Sequence, residues 1–165
     1  MRILVFSDSH TDVSTMADVV RRMQPDKILH LGDHYTDAEV LMALYPEIPF
    51  HAVMGNTDFS GNDVYEQLLI LEGKRIFLTH GHFYGVKTGV SSITAKGESL
   101  AADLVLFGHT HIPYLDWNNG MYVMNPGSIN RHSRRFSSAA PATFGLIVLE
   151  HGEMRCEMKQ LGGFS

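Results

Sequence analysis

Apolar residues fall along this chain in short, nearly continuous runs separated by longer mixed segments. The runs are Ile3-Leu4-Val5-Phe6, Ile28-Leu29-His30-Leu31, Phe50-His51-Ala52-Val53-Met54, Ile76-Phe77-Leu78-Thr79 and Leu104-Val105-Leu106-Phe107. Runs of this length, closed by Gly and Asp, predict strands buried on both faces, as in a parallel sheet covered by helices. Helical spacing fills the gaps between the first three. Over about 14–24, Met16, Val19, Val20 and Met23 share one face, and Pro25 stops the helix. Thr36-Asp37-Ala38-Glu39 reads as a capping box for a second helix that carries Val40, Leu41 and Leu44 and ends before Pro46. Strand, helix, strand, helix, strand predicts right-handed crossovers in a largely parallel sheet, with the loops at the strands' carboxyl ends gathered on one edge.

The second half of the chain is built from hairpin signals. After a loop-like stretch at 61–65, Leu68-Leu69-Ile70-Leu71 and Arg75-Ile76-Phe77-Leu78 flank Glu72-Gly73. Residues 83–92 lack periodicity and predict a loop over the site, followed by a short helix at about 93–102. Tyr114-Leu115-Asp116-Trp117 and Met121-Tyr122-Val123-Met124 close on an Asn-Gly turn, Asn119-Gly120. A loop rich in Ser and Ala at 133–141 leads to a last hairpin, 143–150 and 154–160, turned at His151-Gly152. An alternating α/β half followed by a hairpin-rich half predicts two packed sheets with helices outside them. The chain shows no repeat and no linker, and 165 residues make one domain, 1–165, large enough to bury a core without disulfides.

Each apolar run gives way to polar, metal-capable side chains. The runs lead in turn to Asp8 and His10, to Gly32-Asp33, to Gly55-Asn56, to His80-Gly81-His82 and to Gly108-His109-Thr110-His111. Asp8, His10, Asp33, Asn56, His80, His109 and His111 together offer two carboxylates, four imidazoles and one amide oxygen. Such borderline N/O donors suit manganese, zinc, iron or nickel rather than calcium. One ion needs about four of them, so seven with one shared serve two ions, and a carboxylate is the natural bridge. Asp33 is the best candidate for that bridge. Two divalent ions, two carboxylates and a bridging hydroxide sum to about +1, which a monoanionic phosphodiester would neutralise. The expected chemistry is in-line attack of that hydroxide on phosphorus.

Composition narrows the partners. A net charge of -5 and a pI near 6.0 argue against an extensive nucleic-acid surface, which needs clustered Lys and Arg. No run approaches the roughly 18 to 20 apolar residues of a membrane span. The strand-like start at Arg2 lacks the form of a secretory signal, and a lone Cys156 fits a reducing compartment, so the expected location is the cytoplasm. Of the ten histidines, His30 and His51 lie inside apolar runs and read as core or sheet-face residues, while His151 reads as a solvated turn residue. Met16, Met23, Met42 and Met54 read as core filler. The basic cluster Arg131, Arg134 and Arg135 reads either as a grip on a substrate phosphate, with Arg131 as the candidate, or as a solvated loop.

With these residues in view, the chain resembles the calcineurin-like metallophosphoesterase superfamily, in particular its small bacterial and archaeal phosphodiesterase branch. The resemblance runs in order through Asp8-Ser9-His10, Gly32-Asp33, Gly55-Asn56-Thr57-Asp58, Thr79-His80-Gly81-His82, Gly108-His109-Thr110-His111 and Asn125-Pro126-Gly127-Ser128. It implies a four-layer α/β/β/α sandwich of two mixed sheets, and a preference for manganese or a similar ion. It also implies that Asp8, His10, Asp33 and His111 hold one metal, and that Asp33, Asn56, His80 and His109 hold the other. Many relatives have a leaving-group His after the motif's Asn, where this chain has Thr57. A threonine hydroxyl is far too weak an acid for that task. Diesters with acidic leaving alcohols, such as aryl esters, are therefore the expected substrates, with His82 as the substitute acid and Asn56 as the other catalytic candidate.

The expected activity is thus a metal-dependent phosphodiesterase acting on a small phosphorylated substrate. The alternatives are a phosphomonoesterase or cyclic-nucleotide hydrolase on the same site, or a protein-binding scaffold of the same fold, similar to a eukaryotic trafficking subunit of this length. A homo-oligomer stays open.

Overall fold

In the computed structural model, which describes residues 1–59, 63–131 and 141–162, the first half alternates as expected. β1 (Arg2–Phe6), α1 (Val13–Met23), β2 (Lys27–His30), α2 (Tyr35–Leu44) and β3 (Phe50–Ala52) succeed one another. The hairpin β4 (Glu66–Leu71) and β5 (Lys74–Thr79) comes next, then α3 (Ser91–Ser99) and β6 (Leu104–Leu106). Two further hairpins complete the chain, β7 (Tyr114–Asn118) with β8 (Met121–Asn125), and β9 (Thr143–Glu150) with β10 (Glu153–Gln160).

The strands form two five-stranded sheets, ordered β10-β9-β1-β2-β3 and β4-β5-β6-β8-β7. β1, β2 and β3 are parallel, and β9 joins antiparallel to β1. In the second sheet β5, β6 and β8 are parallel, with antiparallel edges β4 and β7. Both sheets are therefore mixed, and the closing hairpin extends the first sheet rather than the second. The three hairpin turns are set by pairs with positive φ at both central residues, Glu72-Gly73, Asn119-Gly120 and His151-Gly152. That geometry matches the twist of the paired strands.

Each parallel strand divides its side chains between two apolar layers, which is why the runs do not alternate with polar residues. Ile3 and Val5 meet Leu29, Leu31, Ile76, Leu78, Leu104 and Leu106 between the sheets. Leu4 and Phe6 point the other way, against Met16, Val19 and Val20 of α1 and Leu41 of α2. On the outer face of the second sheet Phe77, Val105 and Val123 pack under Ile93 of α3. The result is a four-layer α/β/β/α sandwich. No described helix is long and apolar enough to cross a membrane.

Three expectations need correction. The capping box does not form: α2 begins after His34, which is in the left-handed region and makes no side-chain cap. Asp37 is instead buried, accepting hydrogen bonds from Ser9 Oγ at 2.7 Å and Thr11 N at 2.8 Å. The start of α2 is capped from elsewhere in the chain, by Asp58 Oδ1 accepting from Tyr35 N at 2.7 Å. With Asp37 turned inward, the face of α2 rotates: Ala38 and Leu41 are buried while Val40 and Leu44 are exposed. The helix expected at about 93–102 lies at Ser91–Ser99. The stretch expected as a loop at 83–92 begins within a 3-10 turn, His82–Tyr84, ends in α3, and is anchored by Val86 among Phe77 and Phe107. Residues 61–62 of the loop at 61–65 and residues 133–140 of the loop at 133–141 lie outside the described residues, and Arg134 and Arg135 with them.

Candidate metal centre

The six parallel strands end toward one edge, and the loops that leave five of them carry the candidate donors. The chain must turn sharply there while presenting side chains back toward the edge. Asp8, His10, Asp33, His109 and His111 all adopt positive φ, between 43° and 67°. Non-glycine residues rarely do so, at a cost of order 1–3 kcal/mol each, and such strain persists where the surroundings over-determine it. Two glycines make the approach of the loops possible. A Cβ on Gly108 would lie 2.0 Å from Ser7 Oγ, and one on Gly55 would lie 2.2 Å from Asp33 Oδ1.

The donors gather into two clusters that share Asp33. Asp8, His10, Asp33 and His111 form one, and Asp33, His80 and His109 form the other, with the donor atoms in each lying within 4.8 Å of one another. Asp8 Oδ1 is 3.1 Å from His111 Nε2, Asp33 Oδ1 is 3.3 Å from His80 Nε2, and His10 Nε2 is 3.2 Å from His111 Nε2. Yet Asp8 Oδ1 and His80 Nε2, both buried, have no hydrogen-bond partner among the described residues. They approach at contact distance without the angle of a hydrogen bond, because they aim at common points rather than at each other. Ligands at about 2.0–2.2 Å from one ion stand roughly 3.0–3.5 Å apart, which fits these spacings.

Hydrogen bonds behind the donors fix which atom faces inward. His80 Nδ1 donates to Leu31 O at 2.8 Å, leaving Nε2 bare for a cation. Asp8 Oδ2 accepts from Ser7 Oγ at 2.6 Å and from His109 N at 3.1 Å, which turns Oδ1 into the cluster. Thr57 N donates to Asp33 Oδ1 at 3.2 Å.

Burial alone would raise the pKa of both carboxyls. The His111 and His80 imidazoles with Ser7 hold Asp8 below its ordinary value, and His80 with the Thr57 amide holds Asp33 well below the carboxylate range. Burial lowers His10, and burial with the charges of His80 and Lys87 pushes His109 down to about 4. His80 moves up despite its burial, because Asp33 and Asp8 face it. Ionised carboxylates and the lowered imidazoles of His10 and His109 suit metal binding, whereas His80 would release its proton as a cation binds.

Several positioning residues carry no sequence signal of their role. Asp58, besides capping α2, accepts from Gly55 N at 2.8 Å and Asp33 N at 3.0 Å, and so ties the second loop to the third. The segment after β8 clamps two other loops. Asn125 Nδ2 donates to Gly108 O at 2.8 Å and Thr110 Oγ1 at 2.9 Å. Ser128 Oγ donates to Asp8 O at 2.8 Å, and Asn130 Nδ2 donates to Ser9 O and His10 O. Asn125-Pro126-Gly127-Ser128 is visible as a motif, but nothing in it resembles a ligand; its work is done through backbone carbonyls. His34 has no signal at all, and its ring lies 5.0 Å from that of His10.

The remaining candidates divide. Asn56 lies in the turn after β3 with its side chain exposed, next to the Thr57 amide that holds Asp33. His82 is partly buried beside His80 and His109, at ring distances of 5.5 and 6.2 Å, and its buried Nδ1 has no hydrogen-bond partner among the described residues. Burial and the charge of His80 lower its pKa, so near neutral pH it offers an N–H donor rather than a strong acid. Arg131 is exposed, and its backbone N–H bonds Asp12 Oδ2 at 2.9 Å. His30 is a wholly buried core residue, His51 pairs with Gln67 on the sheet, and the His151 side chain is 90% exposed.

Comparison with known proteins finds relatives over most of the chain. The calcineurin-like phosphoesterase superfamily domain matches residues 1–151. The probable metallophosphoesterase YsnB of Bacillus subtilis is 33% identical over 132 residues, covering 78% of this chain and 75% of its own length. Among solved structures, Vps29 of Entamoeba histolytica complexed with zinc superposes with a TM-score of 0.76 at 19% identity, covering 97% of this chain and 99% of that one. An archaeal phosphodiesterase superposes with a TM-score of 0.71 at 19% identity, covering 96% and 100%.

Proposed function

Because this chain belongs to the calcineurin-like phosphoesterase superfamily, we propose that it is a phosphodiesterase that works with two divalent ions, manganese foremost, in the cytoplasm. The observation that carries the proposal is the pair of donor clusters sharing Asp33, with buried Asp8 Oδ1 and His80 Nε2 lacking hydrogen-bond partners among the described residues. Asp8, His10, Asp33 and His111 would hold one ion; Asp33, His80 and His109 would hold the other, with Asn56 supplying its amide oxygen. Two such ions, when bound, would supply a low-pKa water and charge compensation for a phosphate ester.

The chain's own groups do the rest. His80 keeps Nε2 turned inward through its bond to Leu31 O. Gly108 keeps the His109 and His111 loop close against Ser7 and Asp8. His82 is placed to donate a hydrogen bond beside the second cluster, and Thr57 supplies no proton, so esters of acidic alcohols are favoured. Arg131 is assigned to the outer phosphate oxygens. A scaffold has no chemical need for six clustered donors, five of them on strained backbone, which argues for the enzyme over the partner-binding alternative. Neutralisation of the site by a monoanion favours a diester over a monoester.

The test is hydrolysis of bis(4-nitrophenyl) phosphate by metal-stripped protein as manganese is added back. Activity should appear and saturate at about two ions per chain. Folded protein that stays inactive with manganese, nickel and zinc would contradict the proposal.

A further inference from the structure

Beside the second cluster the structure holds a cavity of about 290 Å³, lined by Val86, Lys87, Val90, Phe107, Ile112 and Tyr114, with Thr110 at its edge. Its walls come from the segment after β5 and from the loop after β6, the same two connections that carry His80 and His109. Thr110 lies between His109 and His111 in the chain, and Lys87 is near enough for its charge to act on His109. The floor is fixed: Val86 is 5% exposed and Phe107 is 1% exposed, both packed in the apolar layer under α3. The Tyr114 ring packs against Phe107 at 6.1 Å, and its hydroxyl is turned to Asp116 at 3.3 Å, so it offers the cavity an aromatic wall.

We propose that this cavity seats one aromatic arm of the substrate while the phosphate lies over the two donor clusters, with the Lys87 ammonium at the junction between them. The proposal rests on the phosphoesterase function above and specifies its substrate class. The volume decides the size of the arm. Ligand pockets run from roughly 300 to 1,000 Å³, so about 290 Å³ is at the small end and has room for a ring system rather than for a whole large ligand. Chemistry decides its character: Val86, Val90, Phe107 and Ile112 provide no hydrogen-bonding side chain, so the walls select for apolar area rather than for a base-pairing edge. Another cavity, about 270 Å³ between His34, Thr36, Thr57 and Phe59, is lined by more polar groups. Phe83 offers the competing aromatic surface. It is 66% exposed and stacks on His82 with ring centroids 4.0 Å apart, a flat platform without walls.

The experiment compares phenylphosphonate with methylphosphonate, two non-hydrolysable anions that differ only in the arm. Calorimetric affinities are measured on zinc-loaded wild type, Val90→Phe and Phe83→Ala, and methyl NMR spectra of the zinc-loaded wild type locate each ligand. Wild type should bind the phenyl compound about tenfold more tightly, the scale set by burying one ring. Val90→Phe, which fills the cavity, should remove that preference and leave methylphosphonate within about twofold. Phe83→Ala should leave the preference intact. The Val86, Val90 and Ile112 methyl resonances should move with phenylphosphonate and not with methylphosphonate.

Equal affinities in wild type, an unchanged ratio in Val90→Phe, a ratio lost in Phe83→Ala, or cavity methyl signals that do not respond would each overturn the proposal. Should Val90→Phe fail to fold, the wild-type methyl shifts decide alone. Neither measurement depends on turnover. Binding of both anions with the phenyl preference, but no diester hydrolysis, would refute the phosphodiesterase and keep the cavity; binding of neither would refute the phosphate site and the cavity together.

Discussion

The two donor clusters share Asp33 but hold their other donors by different means. In the second cluster His80 is wholly buried, and its tautomer is fixed by a backbone carbonyl, Leu31 O. In the first, His10 and His111 are half-buried with their Nε2 atoms 3.2 Å apart, and both sit on backbone with positive φ. Their loops are held by side chains that reach from the segment after β8: Asn130 to the carbonyls of Ser9 and His10, Asn125 to that of Gly108 and to Thr110 Oγ1. Packing fixes His80 and a side-chain clamp from Asn130 fixes His10, while His109 and His111 share the loop that Asn125 holds. The His10 side of the first cluster should therefore respond to changes well away from any ligand atom, and the His80 side of the second should not.

The largest effect is expected where the comparison ends, at the residue common to both. Asp33→Asn should lower diester hydrolysis by about a thousandfold or more and weaken both ions together; near-full turnover would rule out the bridge. His80→Ala and His10→Ala should each cost one ion, which metal analysis after desalting would show as a stoichiometry falling from two to one. Asn130→Ala sharpens the contrast. Loss of such a supporting bond typically costs 10–100-fold in metal affinity, and here the loss should fall on the first ion, with the second changed less than about twofold. Equal weakening of both ions in a two-site calorimetric titration would erase the distinction.

A smaller effect concerns the platform behind both clusters. Gly32 N donates to His30 Nδ1 at 3.2 Å, His30 Nε2 then donates to Ser9 Oγ at 3.1 Å, and Ser9 Oγ donates to Asp37 at 2.7 Å. This relay requires neutral His30, and burial lowers its pKa from 6.5 to about 4. A base whose folded pKa is depressed binds fewer protons folded than unfolded, so its contribution is present above pH 6.5 and is lost as pH falls toward 4. The difference amounts to about 3 kcal/mol. Urea unfolding of metal-free protein between pH 7 and pH 4 should show that extra loss in wild type and not in His30→Gln; parallel pH profiles would contradict it. At the bottom of the scale, His151→Ala, on a side chain 90% exposed, should change stability by less than about 0.5 kcal/mol and activity not at all.

Much of this architecture is written locally. Strands buried on both faces leave unbroken apolar runs, so β1, β2, β5 and β6 are legible from hydropathy alone, and paired turn residues such as Asn119-Gly120 announce the hairpins. Asp8, His10, Asp33, His80, His109 and His111 are legible because each comes just after such a run, and topology then collects the run ends on one edge. The failures share a cause. Asp37 looks like part of a capping box because Thr36 and Glu39 flank it, but its carboxylate is taken by Ser9 and Thr11, nearly thirty residues away in the chain. Asp58 caps α2 from 23 residues away, and Asn130 holds His10 O across 120. Bonds between a side chain and a distant backbone leave no periodicity. His34 is hidden for the same reason, since only the turn after β2 brings its ring to His10.

If one carboxylate, Asp33, joins two ions, electron paramagnetic resonance of the manganese-loaded protein tests that bridge most directly. Two manganese ions per wild-type chain are expected, with the multiline spectrum of an exchange-coupled pair, and that coupling should be lost in Asp33→Asn. Two ions with separate, uncoupled six-line signals in wild type, or saturation at one ion per chain, would contradict the bridge.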